Sequence, residues 1–101
     1  MNGANEFSEA VLRLASTVAE GYERRLDSAG LRATSELRDW SEREFSSVEL
    51  RVDFWRGDNL VDFFEDFVIK QGEPVGSIQQ IEEWLRNGFD AALRDSPPVS
   101  L

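Results

Sequence analysis

The stretch RVDFWRGDNLVDFFEDFVIK, residues 51–70, sets the architecture of this chain, because its apolar residues recur at every second position on both sides of a short polar turn. Such alternation is typical of two antiparallel strands joined as a β-hairpin. A two-residue turn at Asp58 and Asn59 fixes the register and predicts one apolar face on which Phe63 and Phe67 are buried. The predicted pairs are Val48 with Ile69, Leu50 with Phe67, Val52 with Glu65 and Phe54 with Phe63.

The other face of the predicted hairpin combines aromatic and acidic side chains. Two explanations are open. Residues 31–47 cover this face, with Trp40 in a second cluster, or the face is exposed and contacts another protein. An apolar centre rimmed by acids is typical of protein interfaces. The side chains expected there are Asp53, Trp55, Leu60, Asp62, Phe64, Asp66 and Val68, with Arg51 across from Asp66.

Glu65 is the exception on the predicted core face, where it lies opposite Val52. Buried carboxylates are usually paired with a cation. Arg13 of the preceding helical segment is therefore one predicted partner. The alternative is that Glu65 binds a cation or a basic side chain of another protein.

The segment before the hairpin contains one clear helix. Apolar residues at spacings of three and four predict a helix over residues 6–28. Asn5 is expected to cap its start and Gly30 to end it. The following residues, 31–47, have a thin apolar pattern that fits either a short helix or a short strand.

The segment after the hairpin predicts a second helix, over residues 77–95. Ser77 and Gln80 have the spacing of a capping box at its start. Gly88 lies inside the helix and costs about 1 kcal/mol relative to Ala. We therefore expect another element to pack closely against Gly88.

These elements predict an α+β fold in which both helices pack on one face of the hairpin, since a two-stranded hairpin alone is only marginally stable. The length of 101 residues fits a single domain spanning residues 1–101. Residues 1–5 and 96–101 are expected to be loose tails, because both lie outside the periodic segments.

The amino-acid composition excludes several common kinds of catalytic and metal site. The chain has no Cys and no His, which excludes disulfides, thiol nucleophiles, imidazole triads and the usual zinc ligands. It shows no Gly-rich phosphate loop and no calcium-loop spacing. We therefore predict that the protein is not an enzyme and has no catalytic residue, no metal and no cofactor.

The net charge of −9 limits the choice of partner. Such a charge repels phosphate backbones and anionic lipids, so we expect neither direct nucleic-acid binding nor membrane binding. No stretch approaches the ~20 apolar residues that span a bilayer, and residues 1–16 lack the pattern of a secretory leader. We expect a cytoplasmic protein.

The acidic residues concentrate in one part of the chain. Residues 58–83 contain seven acids and only Lys70 as a base, a local charge of −6. Such a patch attracts a basic protein and speeds its approach, although an acidic surface also simply keeps a small protein soluble. The predicted partner-binding residues are Trp55, Asp58, Asp62, Phe64, Glu65 and Asp66.

The run VELRVDFWRGDNLVDFFEDFVIKQGEPVGSIQQIEEWLRNGFDAAL, residues 48–93, resembles the hairpin-then-helix half of small acidic bacterial immunity proteins, which neutralise polymorphic or contact-dependent toxins. The resemblance implies a non-catalytic inhibitor that binds one cognate toxin, such as a nuclease, through an acidic surface. The residues that carry the resemblance are Trp55, Arg56, Gly57, Leu60, Val61, Asp62, Glu65, Gly72, Pro74, Ile81 and Trp84.

Two other functions are consistent with the same residues. One is a nucleic-acid mimic, such as an anti-restriction or anti-CRISPR inhibitor, whose acids are spaced like phosphates. The other is a structural accessory domain that forms a homodimer through the face carrying Trp55. Self-association above micromolar concentration that is lost on Trp55→Ala would favour the dimer.

Overall fold

Two helices and a four-stranded antiparallel sheet form the part of the protein described by the computed structural model, residues 3–40 and 46–96. Side chains are described from Glu6 onward. The predicted α+β class is confirmed, with the hairpin between the two helices in sequence. In chain order the elements are α1 (Gly3–Ser28), β1 (Arg32–Asp39), β2 (Val48–Arg56), β3 (Asn59–Lys70), β4 (Glu73–Pro74) and α2 (Ile78–Asp95).

Helix α1 begins earlier than predicted and ends as predicted. It starts at Gly3, so residues 3–5 are helical rather than part of a tail, and Asn5 lies inside the helix instead of capping it. At the other end Gly30 has a φ of 71°. The Leu31 N–H donates to the Leu26 carbonyl at 2.8 Å. This 6→1 hydrogen bond belongs to a Schellman motif, which requires a left-handed residue at the position of Gly30.

Helix α2 confirms the predicted capping box. Gln80 N–H donates to Ser77 Oγ at 3.1 Å, and Ser77 N–H donates to Gln80 Oε1 at 2.8 Å. The helix ends at Ser96, which is buried and whose N–H donates to the Ala92 carbonyl at 2.9 Å. Ser96 therefore belongs to the folded domain, while the rest of the predicted tail, residues 97–101, lies outside the described residues.

Within the segment 31–47, residues 32–39 form a strand rather than a helix, while residues 41–45 lie outside the described residues. Strand β1 pairs along its whole length with β2, so that Ala33 lies opposite Phe54 and Leu37 opposite Leu50. It thus extends the sheet sideways and does not cover the hairpin's other face. Trp40 follows this strand and is 53% exposed, so the predicted second cluster around it is wrong.

The predicted hairpin register is wrong over most of β3. The turn lies at Gly57 and Asp58, one residue before the expected position. The pair Val48 with Ile69 is as predicted, but Val52 pairs with Phe64 rather than with Glu65.

Two β-bulges explain this difference. The ladder is irregular between Val48 and Glu49 and again between Phe54 and Trp55. The pairing leaves Val68 as the extra residue at the first irregularity and Val61 at the second. Because a one-residue shift moves a side chain to the other face, residues 62–67 all lie on the face opposite to the predicted one.

The core fills the space between the sheet and both helices. Leu50, Val52 and Phe54 on β2 are fully buried. The Phe89 ring of α2 packs edge-on against Phe54, with ring centroids 5.2 Å apart, and stacks with Tyr22 of α1 at 5.0 Å. Aromatic pairs of this kind add roughly 0.5–1.5 kcal/mol to the burial of the rings.

Gly88 shows the close packing expected from its position in α2. A Cβ atom at Gly88 would lie 2.5 Å from the Phe64 ring, closer than a real contact allows. Phe64 therefore lies against the backbone of α2, beside Trp84, whose ring centroid is 5.1 Å from that of Phe64.

Arg56 joins the sheet to the C-terminal ends of both helices. Its Nη2 donates to the carbonyls of Ala29, at 3.1 Å, and Ser96, at 3.2 Å. A positive charge is stabilising there, because the C-terminal end of a helix carries partial negative charge.

Candidate functional site

The face of the sheet turned away from the helices carries a row of aromatic side chains. Phe63 is 46% exposed, while Phe67 and Trp55 on the same face are half-buried. Within residues 3–40 and 46–96, no helix or strand lies over these rings. We call this surface the outer face. It consists of Arg32, Thr34, Glu36, Arg38, Glu49, Arg51, Asp53, Trp55, Leu60, Phe63, Glu65 and Phe67.

Arg51 organises the centre of the outer face. Its Nε donates to Asp53 Oδ1 at 2.6 Å, and its Nη1 donates to Glu65 Oε2 at 3.4 Å. The guanidinium carbon lies 4.0 Å from the centre of the Phe63 ring. The hydrogen bond with Asp53 raises the pKa of Arg51 above its ordinary value, so the guanidinium keeps its charge. These contacts fix two carboxylates and one ring relative to each other.

Trp55 is oriented by neighbours on β1. Its Nε1 donates to Thr34 Oγ1 at 2.9 Å. The guanidinium carbon of Arg32 lies 5.6 Å from the Trp55 ring centre, within the range of a cation–π interaction. These two contacts hold the indole against β1 at the turn end of the hairpin.

The free edge of β3 adjoins the outer face. Strand β4 pairs only with Ile69 and Lys70, and the Val75 N–H donates to the Val68 carbonyl at 3.0 Å. Among the described residues, no strand pairs with residues 59–67 on the side away from β2. We call this segment the β3 edge.

Two aspartates satisfy backbone groups of the β3 edge. Asp62 Oδ1 accepts a hydrogen bond from the Phe63 N–H, and Asp66 Oδ1 accepts one from the Phe67 N–H, each at 2.8 Å. The carboxylates lie on the helix side of the sheet and reach back to the N–H of the next residue. Charged side chains at a sheet edge discourage pairing with other strands, so these acids have a structural use.

The six predicted partner-binding residues do not form one surface. Trp55 and Glu65 lie on the outer face, whereas Asp62 and Asp66 lie along the β3 edge. Asp58 is exposed in the hairpin turn. Phe64 lies on the helix side against Phe54 and Trp84, so its expected place beside Trp55 is wrong.

Glu65 is also placed differently from the prediction. It lies opposite Arg51 on the outer face, not opposite Val52 in the core. Its cationic partner is Arg51 of the neighbouring strand rather than Arg13 of α1. The correction follows from the bulge at Val61, which shifts the ladder by one residue.

The sequence did not indicate Phe63 and Phe67 as members of the exposed surface. Arg51 was predicted on that face, but opposite Asp66, whereas it lies opposite Glu65. Both phenylalanines were predicted in the core, because β3 is apolar at odd and even positions alike. The repeated Asp-Phe pairs at 62–63 and 66–67 were the available signal, since each aspartate accepts from the N–H of the phenylalanine after it.

No group of three or more acids among residues 3–40 and 46–96 is placed to hold a metal ion. Burial, followed by the hydrogen bond to Asp90, raises the pKa of Tyr22 further from neutrality. The phenol therefore stays protonated and acts as a hydrogen-bond donor within the core.

Comparisons with family models, with curated proteins and with solved structures gave no match to this chain. None of the helices in the described part of the chain is both long and apolar enough to cross a membrane. The candidate site is therefore defined by its own geometry: the outer face and the β3 edge beside it.

Proposed function

We propose that this chain is a non-catalytic binding protein that docks a basic protein onto the outer face and the β3 edge. The observation that carries the proposal is a row of exposed and half-exposed rings, Trp55, Phe63 and Phe67, on a sheet face that no described element covers. Clustered aromatic side chains at the centre of a polar rim dominate the energy of many protein interfaces.

The charge around these rings supports a basic partner. Lys or Arg side chains bind both carboxylates and the faces of aromatic rings. The outer face and the β3 edge offer both acceptors side by side, because Glu65, Asp62 and Asp66 flank Phe63 and Phe67 along β3. The net charge of −9 also attracts a basic protein over a distance of about one Debye length.

Within this class we propose an immunity-type inhibitor of a basic toxin, for example one with a nucleic-acid-binding surface. The resemblance of residues 48–93 to immunity proteins and the acidic β3 edge both support it. Occupying a basic surface tightly is enough to block a nuclease, and it needs no catalytic group on this chain.

The spacing of the acids favours this function over nucleic-acid mimicry. From Asp58 to Asp66 there are four acids in nine residues, which span at most about 27 Å when fully extended. Duplex DNA carries one negative charge per about 1.7 Å. The row on β3 is thus several times less dense than the backbone that it would have to imitate.

A capture experiment with matched variants tests the proposal. The tagged protein is incubated at low salt with a lysate of its source, and the bound proteins are eluted with rising salt and identified. We expect one basic protein whose capture is lost in Phe63→Ala. Since Phe63 is exposed, that substitution leaves the fold intact.

The charge contribution is measured as an association rate with the captured protein. Asp62→Lys with Asp66→Lys should slow association about tenfold at low salt, and the difference should disappear at high salt. The control is Glu9→Lys with Glu20→Lys, which makes the same change in net charge on the exposed side of α1. Equal slowing by both pairs, or capture that survives Phe63→Ala, would refute the docking surface.

One observation favours a second function, the homodimer. The outer face carries the three cations Arg32, Arg38 and Arg51 beside its four acids, so its own charge is nearly balanced. Two copies can therefore meet face to face with little repulsion. Sedimentation of the protein and of Trp55→Ala decides this, because a dimer through this face dissociates in the variant.

A further inference from the structure

The β3 edge has the geometry of an incomplete sheet. In an antiparallel strand, the N–H and C=O groups of alternate residues point to the same neighbour. The N–H groups of Phe63 and Phe67 bond to aspartate side chains and not to β2, so they point to the open edge. By the same alternation the N–H of Glu65, between them, points there as well. Three backbone donors thus face the side where no described strand lies.

We propose that the partner binds by adding an extended, basic segment to β3 as a new strand along residues 61–67. This inference rests on the proposed function and specifies how the partner is held. The partner's carbonyls would accept from the N–H groups of Phe63, Glu65 and Phe67. The carboxylates of Asp62 and Asp66, displaced from those N–H groups, would pair with the partner's Lys or Arg side chains.

Charge complementarity selects this occupant over the other strands that could pair here. Any added strand displaces the Asp62 and Asp66 carboxylates from the N–H groups that they now accept from. An apolar strand takes the backbone donors from those carboxylates and supplies no charged donor in return, so it gains less than a basic strand. A basic strand supplies a charged donor for each of them. Asp62 and Asp66 therefore make strand addition at this edge selective for basic segments.

A second copy of this chain is a poor occupant of the same edge. Pairing two β3 edges would bring the Asp62 and Asp66 carboxylates of both copies together, and like charges in contact are destabilising. Pairing of two β3 edges is therefore unfavourable at neutral pH, whereas pairing with a strand of opposite charge is not.

Hydrogen exchange with defined peptides tests the inference. The probe is a capped peptide of alternating Lys and Val that is as long as the 61–67 edge. At a peptide concentration of about one hundred times its dissociation constant, amide exchange of Phe63, Glu65 and Phe67 should slow about a hundredfold. The amides of residues 53 and 55 on β2 serve as internal controls, since they do not face the open edge.

Two further peptides separate strand addition from charge attraction. A Lys-Val peptide that is N-methylated at every residue keeps its charge but has both of its edges blocked, so it cannot add as a strand. It should give no protection at Phe63 and Phe67. A Glu-Val peptide should not bind. Asp62→Asn with Asp66→Asn should weaken binding of the Lys-Val peptide about tenfold or more, whereas Glu9→Gln with Glu20→Gln should not.

The failure of this inference can be told apart from failure of the proposed function. If the N-methylated peptide binds as well as its parent, strand addition is refuted and a surface that binds basic ligands by charge remains. If the Glu-Val peptide binds as well as the Lys-Val peptide, the selectivity for basic segments is refuted. If no basic peptide binds even at low salt while the captured protein still requires Phe63, the partner uses the outer face alone.

Discussion

The side chains on the two faces of one strand, β2, are held by different kinds of interaction. On the helix side Leu50, Val52 and Phe54 are fully buried and contact the core. On the outer face the alternating Arg51 and Asp53 are held by an ion pair, with side chains only 15% and 14% exposed. The helix side is ordered by packing, and the outer face by hydrogen bonds and cation–π contacts. Of these two faces of the sheet, the outer one therefore keeps rings available to a partner.

The largest expected effect contrasts two phenylalanines on opposite faces. Phe54→Ala removes a fully buried ring from the core and should lower the free energy of unfolding by about 3–5 kcal/mol. Phe63→Ala removes an exposed ring and should cost less than about 1 kcal/mol. Chemical denaturation measures both. Equal losses would mean that the register of β3 is not the one described.

A second contrast compares two helical glycines. Gly88→Ala places a methyl group against the Phe64 ring, and such overpacking typically costs about 1–3 kcal/mol, more than the gain of about 1 kcal/mol in helix propensity. Gly21→Ala in α1 meets nothing within 4 Å and should stabilise the protein by up to about 1 kcal/mol. Thermal melts should show changes of opposite sign. Stabilisation by both substitutions would place Phe64 away from α2.

The smallest effect concerns a polar group on the helix side. Tyr22 is the only tyrosine of the chain. Its hydroxyl donates to Asp90 Oδ1 at 2.7 Å. Burial first, and then Asp90, raise its pKa above the ordinary value near 10. The associated stability is present below the unfolded-state pKa and is lost as the pH rises through the folded-state pKa, because the unfolded phenol ionises first.

Tyrosinate absorbance in the near ultraviolet measures this titration directly. Asp90→Asn should lower the midpoint without returning it to the unfolded value, because burial remains. Glu83→Gln, an exposed change on the same helix, should leave the midpoint where it is. A midpoint unaffected by Asp90→Asn would show that the hydrogen bond does not form in solution.

The helices were predictable from the sequence because their signals are local. The capping box of Ser77 and Gln80, the left-handed Gly30 and the close contact at Gly88 each depend on residues within one or two turns, or on the absence of a side chain. The presence of a hairpin was equally clear from its period of two.

It was not predictable which face of the hairpin each β3 side chain occupies, because β3 does not alternate strictly enough for a bulge to show as a change of phase. β3 carries apolar residues at both parities, so a shift at Val61 yields another plausible face. Strand β1 was ambiguous for a related reason: it is an edge strand with few apolar residues, and its pairing with β2 fixes it. The kind of site, a surface of aromatic and acidic side chains, was therefore predicted, but some of its side chains were assigned wrongly.

The guanidinium of Arg56 has a consequence for how the chain is made. It donates to the carbonyls of residues 29 and 96, one before and one after the three long strands in sequence. During synthesis the acceptor at Ala29 emerges before Arg56, whereas the one at Ser96 emerges last. The contact that ties the sheet to both helix ends can thus close only after α2 has left the ribosome. Until then, Arg56 can hold the sheet to the end of α1 alone.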